Sequence, residues 1–461
     1  MIKKIHLIAA CGTGMGTLAC ILKEMGYRVT GSDQNIYPPM SDLLKEKGIS
    51  LFTGYDSSNL DHKPDLVIIG NAVTKMNVEA RAVLQKGIPY LSMPQAVNKF
   101  IAKNKKIILV TGTHGKTTTS SIMAYILFVA GMDPSFMIGG ILKDFNSSFR
   151  IGSGEYMVIE GDEYDTAFFD KGPKFMHYDP EITIMTGIEF DHADIFTDID
   201  HIKTIFANFV KKIEKVSHII AYDDNDNLKE ILDTPVSSIE SYGKQGQWSF
   251  SNHVQENSKT LFDVKGPNKK VSIKTDMVGE HNLLNCVACI AAANKIGISD
   301  KKICDALKSF SGIKRRQEIR GIRNGVTVMD DFAHHPTAVR ETIKAVRPFY
   351  KSGRIIAVFE PRTNTSMRKF FQEIYPDSFL DADMVFVCEP AIKKNIPQKD
   401  KFSIRQLVVD IEKKGIKAYY FENSDKLINA LILKLRPNDL VLIMSNGGFD
   451  NIHVKLLEKI Q

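Results

Sequence analysis

The sequence is poor in cysteine, carries a single tryptophan and lacks long apolar runs. Six cysteines spread over 461 residues make no disulfide framework, so a reducing compartment, the cytoplasm, is expected. Cys286 and Cys289 have C-x-x-C spacing, but they fall in an apolar helical stretch without a second pair and read as buried thiols. No run reaches the roughly 18 apolar residues that cross a bilayer, so no membrane partner is expected. The opening stretch ends in small residues before Cys11, yet it is short and contains His6, which suits a first strand better than a lipoprotein-type signal. Lysine and arginine form no block with interleaved aromatics, which argues against nucleic acid as a partner. The excess of 60 basic over 54 acidic side chains suits a protein that handles phosphates.

What is present is an alternation of short β-branched runs with helical patterns, the mark of α/β units with parallel sheets. Strands are expected at 5–10, 28–31, 66–70, 89–92, 107–110, 156–159, 181–185, 326–329, 355–359, 384–388, 418–421 and 440–444, with helices near 202–213 and 282–296. The lysine-rich step Lys103-Asn-Lys-Lys106 marks a first boundary, and a second falls near Asn324. Three α/β domains in series, 1–103, 104–322 and 323–461, follow; the polar tract near 237–275 reads as a small β-rich insertion.

The segment Thr111-Gly112-Thr113-His114-Gly115-Lys116-Thr117-Thr118 follows a strand and opens a helix. Glycines let the backbone turn so that N–H groups and a helix N-terminus face one point, which favours a polyphosphate. Lys116 would reach the β/γ-phosphates and the Thr117 hydroxyl a Mg²⁺ ion. A full G-x-x-x-x-G-K-[ST] needs glycine at position 110, where Val110 stands, which counts against an ordinary kinase or GTPase. Glu160 is the first carboxylate beyond the strand at 156–159, the place for a Mg²⁺ ligand; Asp162, Glu163 and Asp165 read as a solvated acidic turn. His192, among acids in Glu189-Phe-Asp-His192, is either a structural histidine or a metal ligand.

The turn Cys11-Gly12-Thr13-Gly14-Met15-Gly16-Thr17, with Asp33 after the next strand, resembles a dinucleotide fingerprint, but Thr17 occupies the third glycine position. An NAD-dependent oxidoreductase is demoted accordingly, since it leaves the second phosphate loop unused. Two phosphate-cradling turns imply two phosphorylated ligands. A nucleotide-binding scaffold or sensor without turnover is the non-enzymatic alternative.

Across nearly the whole chain these motifs resemble the Mur ligase family. Thr111 to Thr118 is similar to its shortened ATP loop, Ile159-Glu160-Gly-Asp-Glu163 to its Mg²⁺-binding acid segment, and Glu189-Phe-Asp-His192 to the segment whose histidine binds a second Mg²⁺. Gly279-Glu-His281-Asn282-Leu-Leu-Asn285 resembles the helix start near the adenine, and Arg316 of Lys314-Arg-Arg-Gln317 matches the arginine that reaches the γ-phosphate. Asp330-Asp331-Phe-Ala-His334-His335-Pro336 resembles the loop that contacts ribose and substrate. The resemblance implies an ATP- and Mg²⁺-dependent ligase with a Rossmann-like UDP-binding domain, a P-loop-type central domain and a Rossmann-like C-terminal domain.

Implied site residues follow from the same likeness. They are Lys116, Arg316 and His192 for catalysis; Gly112 to Thr118, His281, Asn282, Asn285, Arg316 and Asp331 for ATP; and Thr117, Glu160 and His192 for metal. Gly12, Thr13, Gly14, Met15, Asp33 and Asn71 are implied for the UDP-sugar, and His334, His335, Arg362 and Asn446 for a peptide. Members that accept UDP-N-acetylmuramate add either L-alanine or the tripeptide L-alanyl-γ-D-glutamyl-meso-diaminopimelate. Cys11 to Met15, Tyr37-Pro-Pro-Met40, Ile69-Gly-Asn-Ala72, Glu360-Pro-Arg-Thr-Asn364 and Ser445-Asn-Gly-Gly-Phe449 resemble the tripeptide-adding type more closely. A monomer is expected, with closure of the domains around their ligands.

Overall fold

Apolar runs flanked by glycine turns form the strands of three sheets, which the computed structural model arranges in series along the chain. It describes residues 2–36, 40–193, 195–213, 215–233, 238–256, 259–391 and 396–460, so Tyr37, Pro38 and Pro39 of the motif above lie outside the described residues.

The first sheet is wholly parallel, in the order Ser50–Thr53, Arg28–Asp33, Lys4–Ile8, Leu66–Ile69, Tyr90–Ser92. The chain changes direction of travel between Lys4–Ile8 and Leu66–Ile69, and such a reversal opens a crevice at the carboxyl ends of the two strands. The helix Thr13–Glu24 starts there.

At the middle of the second sheet lies Lys106–Thr111, whose Ile107, Ile108, Leu109 and Val110 are buried, as in a strand covered on both faces. Its neighbours are Ile182–Met185 and Tyr156–Gly161, and the sheet continues on one side to His218–Tyr222 and Ile239–Tyr242, on the other to Ser135–Leu142 and Ser147–Arg150. Only the last pair is antiparallel among the described strands of this sheet.

The tract expected as one insertion near 237–275 divides in two. Ile239–Tyr242 extends the central sheet, and the insertion proper is the antiparallel meander Ser249–Glu256, Lys259–Gly266, Lys269–Thr275; Ser237 lies outside the described residues. Trp248 is fully buried beneath this meander, where a Cβ on Gly266 would come within 2.5 Å of the indole. Cys286 and Cys289 are fully buried in the helix Glu280–Ile296, as expected, and burial pushes the Cys286 thiol up to about 12.

The third sheet runs Glu318–Arg323, Val326–Asp331, Leu440–Met444, Ile355–Phe359, Met384–Cys388, Lys417–Phe421, with only the first pair antiparallel among its described strands. A turn with Asn324 and Gly325 at positive φ closes that pair, so the sheet begins at Glu318, ahead of the expected division at 323.

A small hairpin, Asp165–Ala167 with Asp170–Pro173, leaves the central domain. Phe168 and Phe169 at its tip pack on the first domain, Phe169 edge-on to Tyr90 with ring centroids 4.8 Å apart. No helix among the described residues is long and apolar enough to cross a membrane.

Candidate active site

The phosphate loop is built on two glycines with positive φ, Gly112 at 123° and Gly115 at 80°. Gly115 caps the helix Lys116–Val129 from the left-handed region, and a Cβ there would stand 2.8 Å from Asn285 Oδ1. The sequence needs glycine for both reasons. Lys116 lies across the loop, donating to the carbonyls of Gly112 (2.6 Å) and Thr113 (3.3 Å) and to both oxygens of Glu163 (3.1 and 3.0 Å). Burial disfavours the charged ammonium, but Glu163 and Asp162 outweigh it and hold the Lys116 pKa above its ordinary value. Lys116 is therefore a fixed cation beside a helix N-terminus.

Glu160, at the end of the adjacent strand, accepts the Thr117 hydroxyl (3.2 Å) and the Gly139 N–H (2.6 Å). Burial, with Asp162 as the next cause, raises its carboxyl to about 7. Two hard oxygens, a hydroxyl and a carboxylate, thus sit together beside the loop, the donor chemistry that Mg²⁺ takes. The residues fit the ion.

A cavity of about 480 Å³ opens from the loop. His114, Gly115 and Thr118 share its wall with His281, Asn282, Asn285, Arg316 and Asp331, so the residues assigned to ATP from four separate stretches converge. Its size lies within the range of small-molecule sites. His281 Nδ1 is buried without a hydrogen-bond partner among the described residues, and burial drives the ring pKa down to about 4. A neutral imidazole is left with a polar atom for a ligand to satisfy. Arg316 stacks on Phe332 with its guanidinium 4.8 Å from the ring centre, and Asp331 accepts the N–H groups of Gln317 and Ala333.

A second cavity, of about 260 Å³, lies between the first and central domains. It brings Thr13, Gly14 and Asn71 of the first domain to Glu160 and Asp162 of the central one. The other first-domain candidates stand apart from it. Met15 is buried in the core, Gly12 precedes the helix, and Asp33 is engaged by the N–H groups of Cys11 (2.8 Å) and Asn35 (3.0 Å). His192 has φ of 55° and its ring lies 4.3 Å from that of Tyr164, a residue lining this cavity.

Glu189 forms a clasp between the central and third domains. Its carboxylate faces His114 Nε2 (3.3 Å) of the phosphate loop and accepts the Thr337 hydroxyl (2.7 Å) of the third domain. Burial raises the Glu189 pKa, but His114 and Thr337 outweigh it and bring it down to about 2, so the group stays ionised. His114, Glu189 and His335 stand close enough to hold a metal. The hydrogen bonds of His335 argue otherwise: Nε2 donates to the Phe190 carbonyl (3.3 Å) and Nδ1 accepts the Thr337 N–H (3.2 Å). Burial lowers its pKa to about 3, and the neutral ring has no lone pair to spare.

His334 and His335 follow the strand Val326–Asp331, where His335 caps the helix Pro336–Val346 and the His334 ring nitrogen Nδ1 bonds the Phe332 carbonyl at 2.9 Å. Arg362 and Asn446 come together at the ends of Ile355–Phe359 and Leu440–Met444, the arginine crowding Gly447 and the buried Asn446 Oδ1 lacking a partner among the described residues. Beside them Ser445 donates to Glu360 (2.6 Å), and Arg315 donates to the carbonyls of Ser445 and Gly447.

Several participants were not legible as such. Glu163 reads as a solvated turn but is 4% exposed and paired with Lys116; Thr337 and Gln317 had no signal of their own. Lys174, which lines the second cavity, opens the short 3-10 helix Lys174–His177 that follows a hairpin the sequence pattern did not reveal.

Models described as Mur ligase family, catalytic domain; Mur ligase middle domain; and Mur ligase, glutamate ligase domain match residues 4–105, 110–293 and 315–447. The UDP-N-acetylmuramate:L-alanyl-gamma-D-glutamyl-meso-2,6-diaminoheptandioate ligase of Escherichia coli (strain K12) is 42% identical, covering 99% of this chain and 98% of its own. A UDP-N-acetylmuramate:L-alanine ligase of Clostridium acetobutylicum is 32% identical, covering 99% and 98%. The crystal structure of a murein peptide ligase from Psychrobacter arcticus 273-4 matches with a TM-score of 0.74 at 34% identity, covering 99% and 98%. The protein belongs to the Mur ligase family.

Proposed function

We propose that this enzyme joins UDP-N-acetylmuramate to the tripeptide L-alanyl-γ-D-glutamyl-meso-diaminopimelate at the cost of ATP. One observation carries the reading: Gly115 and Thr118 line the nucleotide cavity, Glu160 lines the cavity under the first-domain glycine turn, and Thr117, between those two loop residues, donates to Glu160 at 3.2 Å, which supports two phosphorylated ligands converging on one reacting centre. A free carboxylate is a poor electrophile, and an amide forms only after its oxygen becomes a leaving group. Transfer of the ATP γ-phosphoryl to the lactyl carboxylate gives an acyl phosphate, which the peptide amine attacks with loss of phosphate. Lys116 and Arg316 face the transferring charge across the loop and orient the phosphates. Thr117 and Glu160 would hold one Mg²⁺ and His192 a second, and the bound ions would supply further charge neutralisation.

In this reading Thr13, Gly14 and Asn71 line the sugar side, with Gly12, Met15 and Asp33 shaping the turn. The loop Gly112 to Thr118, with His281, Asn282, Asn285 and Asp331, holds ATP. His334, His335, Arg362 and Asn446 form the peptide side at the third domain. Three functional units follow, divided near residue 103 and, because the third sheet begins at Glu318, just ahead of that strand rather than at 323, in a monomer working in the cytoplasm. The test is ADP release with UDP-N-acetylmuramate and either the tripeptide or L-alanine. Release with the tripeptide is expected. Preference for L-alanine would assign the other amine, and no amine-dependent release would leave a binding protein.

A further inference from the structure

The cavity between the first and central domains has one feature that the reading above does not use. Its wall carries two carboxylates, Glu160 and Asp162, and one lysine, Lys174. The Lys174 ammonium donates to Asp162 Oδ2 at 2.8 Å and lies 5.9 Å from the centre of the Tyr164 ring, with its side chain 14% exposed. Asp162 is its only hydrogen-bond partner among the described residues. An ammonium has three N–H donors, so two remain for a ligand in the cavity.

Lys174 is firmly placed. Its own N–H donates to the Asp162 carbonyl (3.1 Å), fixing the base of the hairpin. Downstream, Lys212 donates to the carbonyls of Met176 and Tyr178, both at 2.9 Å, and Asn98 donates to the His177 carbonyl at 2.6 Å. Upstream, Phe168 and Phe169 pack on the first domain. The lysine is therefore positioned by elements of both domains that line the cavity. Asp162, paired with it at 2.8 Å, offsets part of the cost of burying the charge.

An anionic group entering this cavity meets two acids, and Lys174 is the cation on its wall. We propose that Lys174 receives the carboxylate of the UDP-sugar by a direct ion pair, and so selects a sugar bearing a lactyl ether over the same UDP-sugar without one. The inference rests on UDP-N-acetylmuramate being the substrate. It adds a residue that determines specificity on the sugar side.

Equilibrium binding without turnover separates the two ideas. The full-length protein and Lys174→Met are titrated with UDP-N-acetylmuramate and with UDP-N-acetylglucosamine, which has a free hydroxyl in place of the lactyl ether. The variant is expected to bind UDP-N-acetylmuramate about 10- to 100-fold more weakly, the loss of one charge-assisted pair, and UDP-N-acetylglucosamine as before. Unchanged UDP-N-acetylglucosamine binding also reports that the variant is folded. Equal weakening of both ligands, or weakening of neither, overturns the role of Lys174 and leaves the function intact. Failure of the unaltered protein to bind UDP-N-acetylmuramate overturns both.

Discussion

Glu160→Gln should make the metal-free protein more stable at pH 8 while abolishing its activity. The wild-type carboxyl is raised from 4.5 to about 7, first by burial and then by Asp162. In the unfolded chain it ionises at its ordinary value. Below about pH 4.5 both states hold the proton and nothing is lost. As pH rises toward about 7 the unfolded state gives up its proton first, and the folded state becomes progressively less favourable. At about 1.4 kcal/mol for each tenfold change in proton affinity, that displacement is worth about 3 kcal/mol. Glu160 is partly exposed, and solvent screening trims the value to about 1 to 3 kcal/mol.

Glutamine removes this dependence while keeping the local contacts. Its oxygen can take the Gly139 N–H, and its amide can donate to Thr117, whose hydroxyl rotates to accept. The measurement is thermal unfolding in a chelator from pH 4 to pH 8. Wild type and variant should nearly coincide at about pH 4 and diverge by pH 8, with the variant higher. Added Mg²⁺ should raise the wild type alone, because an ion on Glu160 offsets the cost of its charge. A variant no more stable than wild type at pH 8, or equally more stable at pH 4, would refute the account.

Four further outcomes follow. Lys116→Ala should lower turnover by roughly 100- to 1000-fold, and near-normal turnover would remove the lysine from the reaction. Gly115→Ala, strained at its φ of 80° and with a Cβ 2.8 Å from Asn285 Oδ1, should weaken ATP binding about tenfold by calorimetry; unchanged affinity would mean the loop tolerates a side chain. Thr337→Val removes the hydroxyl from Glu189 and, at about 1 kcal/mol for a half-exposed contact, should speed amide exchange over residues 189–193 about fivefold, whereas equal exchange would show that the clasp contributes nothing. Arg362→Ala should raise the peptide KM about tenfold with little change for UDP-N-acetylmuramate, and an unchanged peptide KM would exclude it from the amine site.

The sequence was most legible where function demands a fixed local spacing. Gly112, Gly115 and Lys116 act within one turn, so their pattern survives in the linear order, and the buried strands beside them carry uninterrupted apolar runs. Ile239–Tyr242 was merged with the insertion because it is an outer strand of its sheet and its Ile-Glu-Ser-Tyr pattern is polar. Glu163 resembled any solvated acid because its partner Lys116 is 47 residues away. The contact of Glu189 with Thr337 spans 148 residues, and neither residue type announces it. Motifs exposed the groups that act alone, while pairs formed across domains became visible only with the fold.

Glu189 touches the phosphate loop through His114 and the third domain through Thr337, so one carboxylate belongs to two equilibria. Linkage would then work in both directions: a ligand that stabilises the Glu189–Thr337 contact would favour the loop geometry proposed for the nucleotide, and a seated nucleotide would favour that contact by the same factor. In the proposed reaction an acyl phosphate would be quickly lost to water, and tying its formation to contact with the domain proposed to carry the amine would protect it.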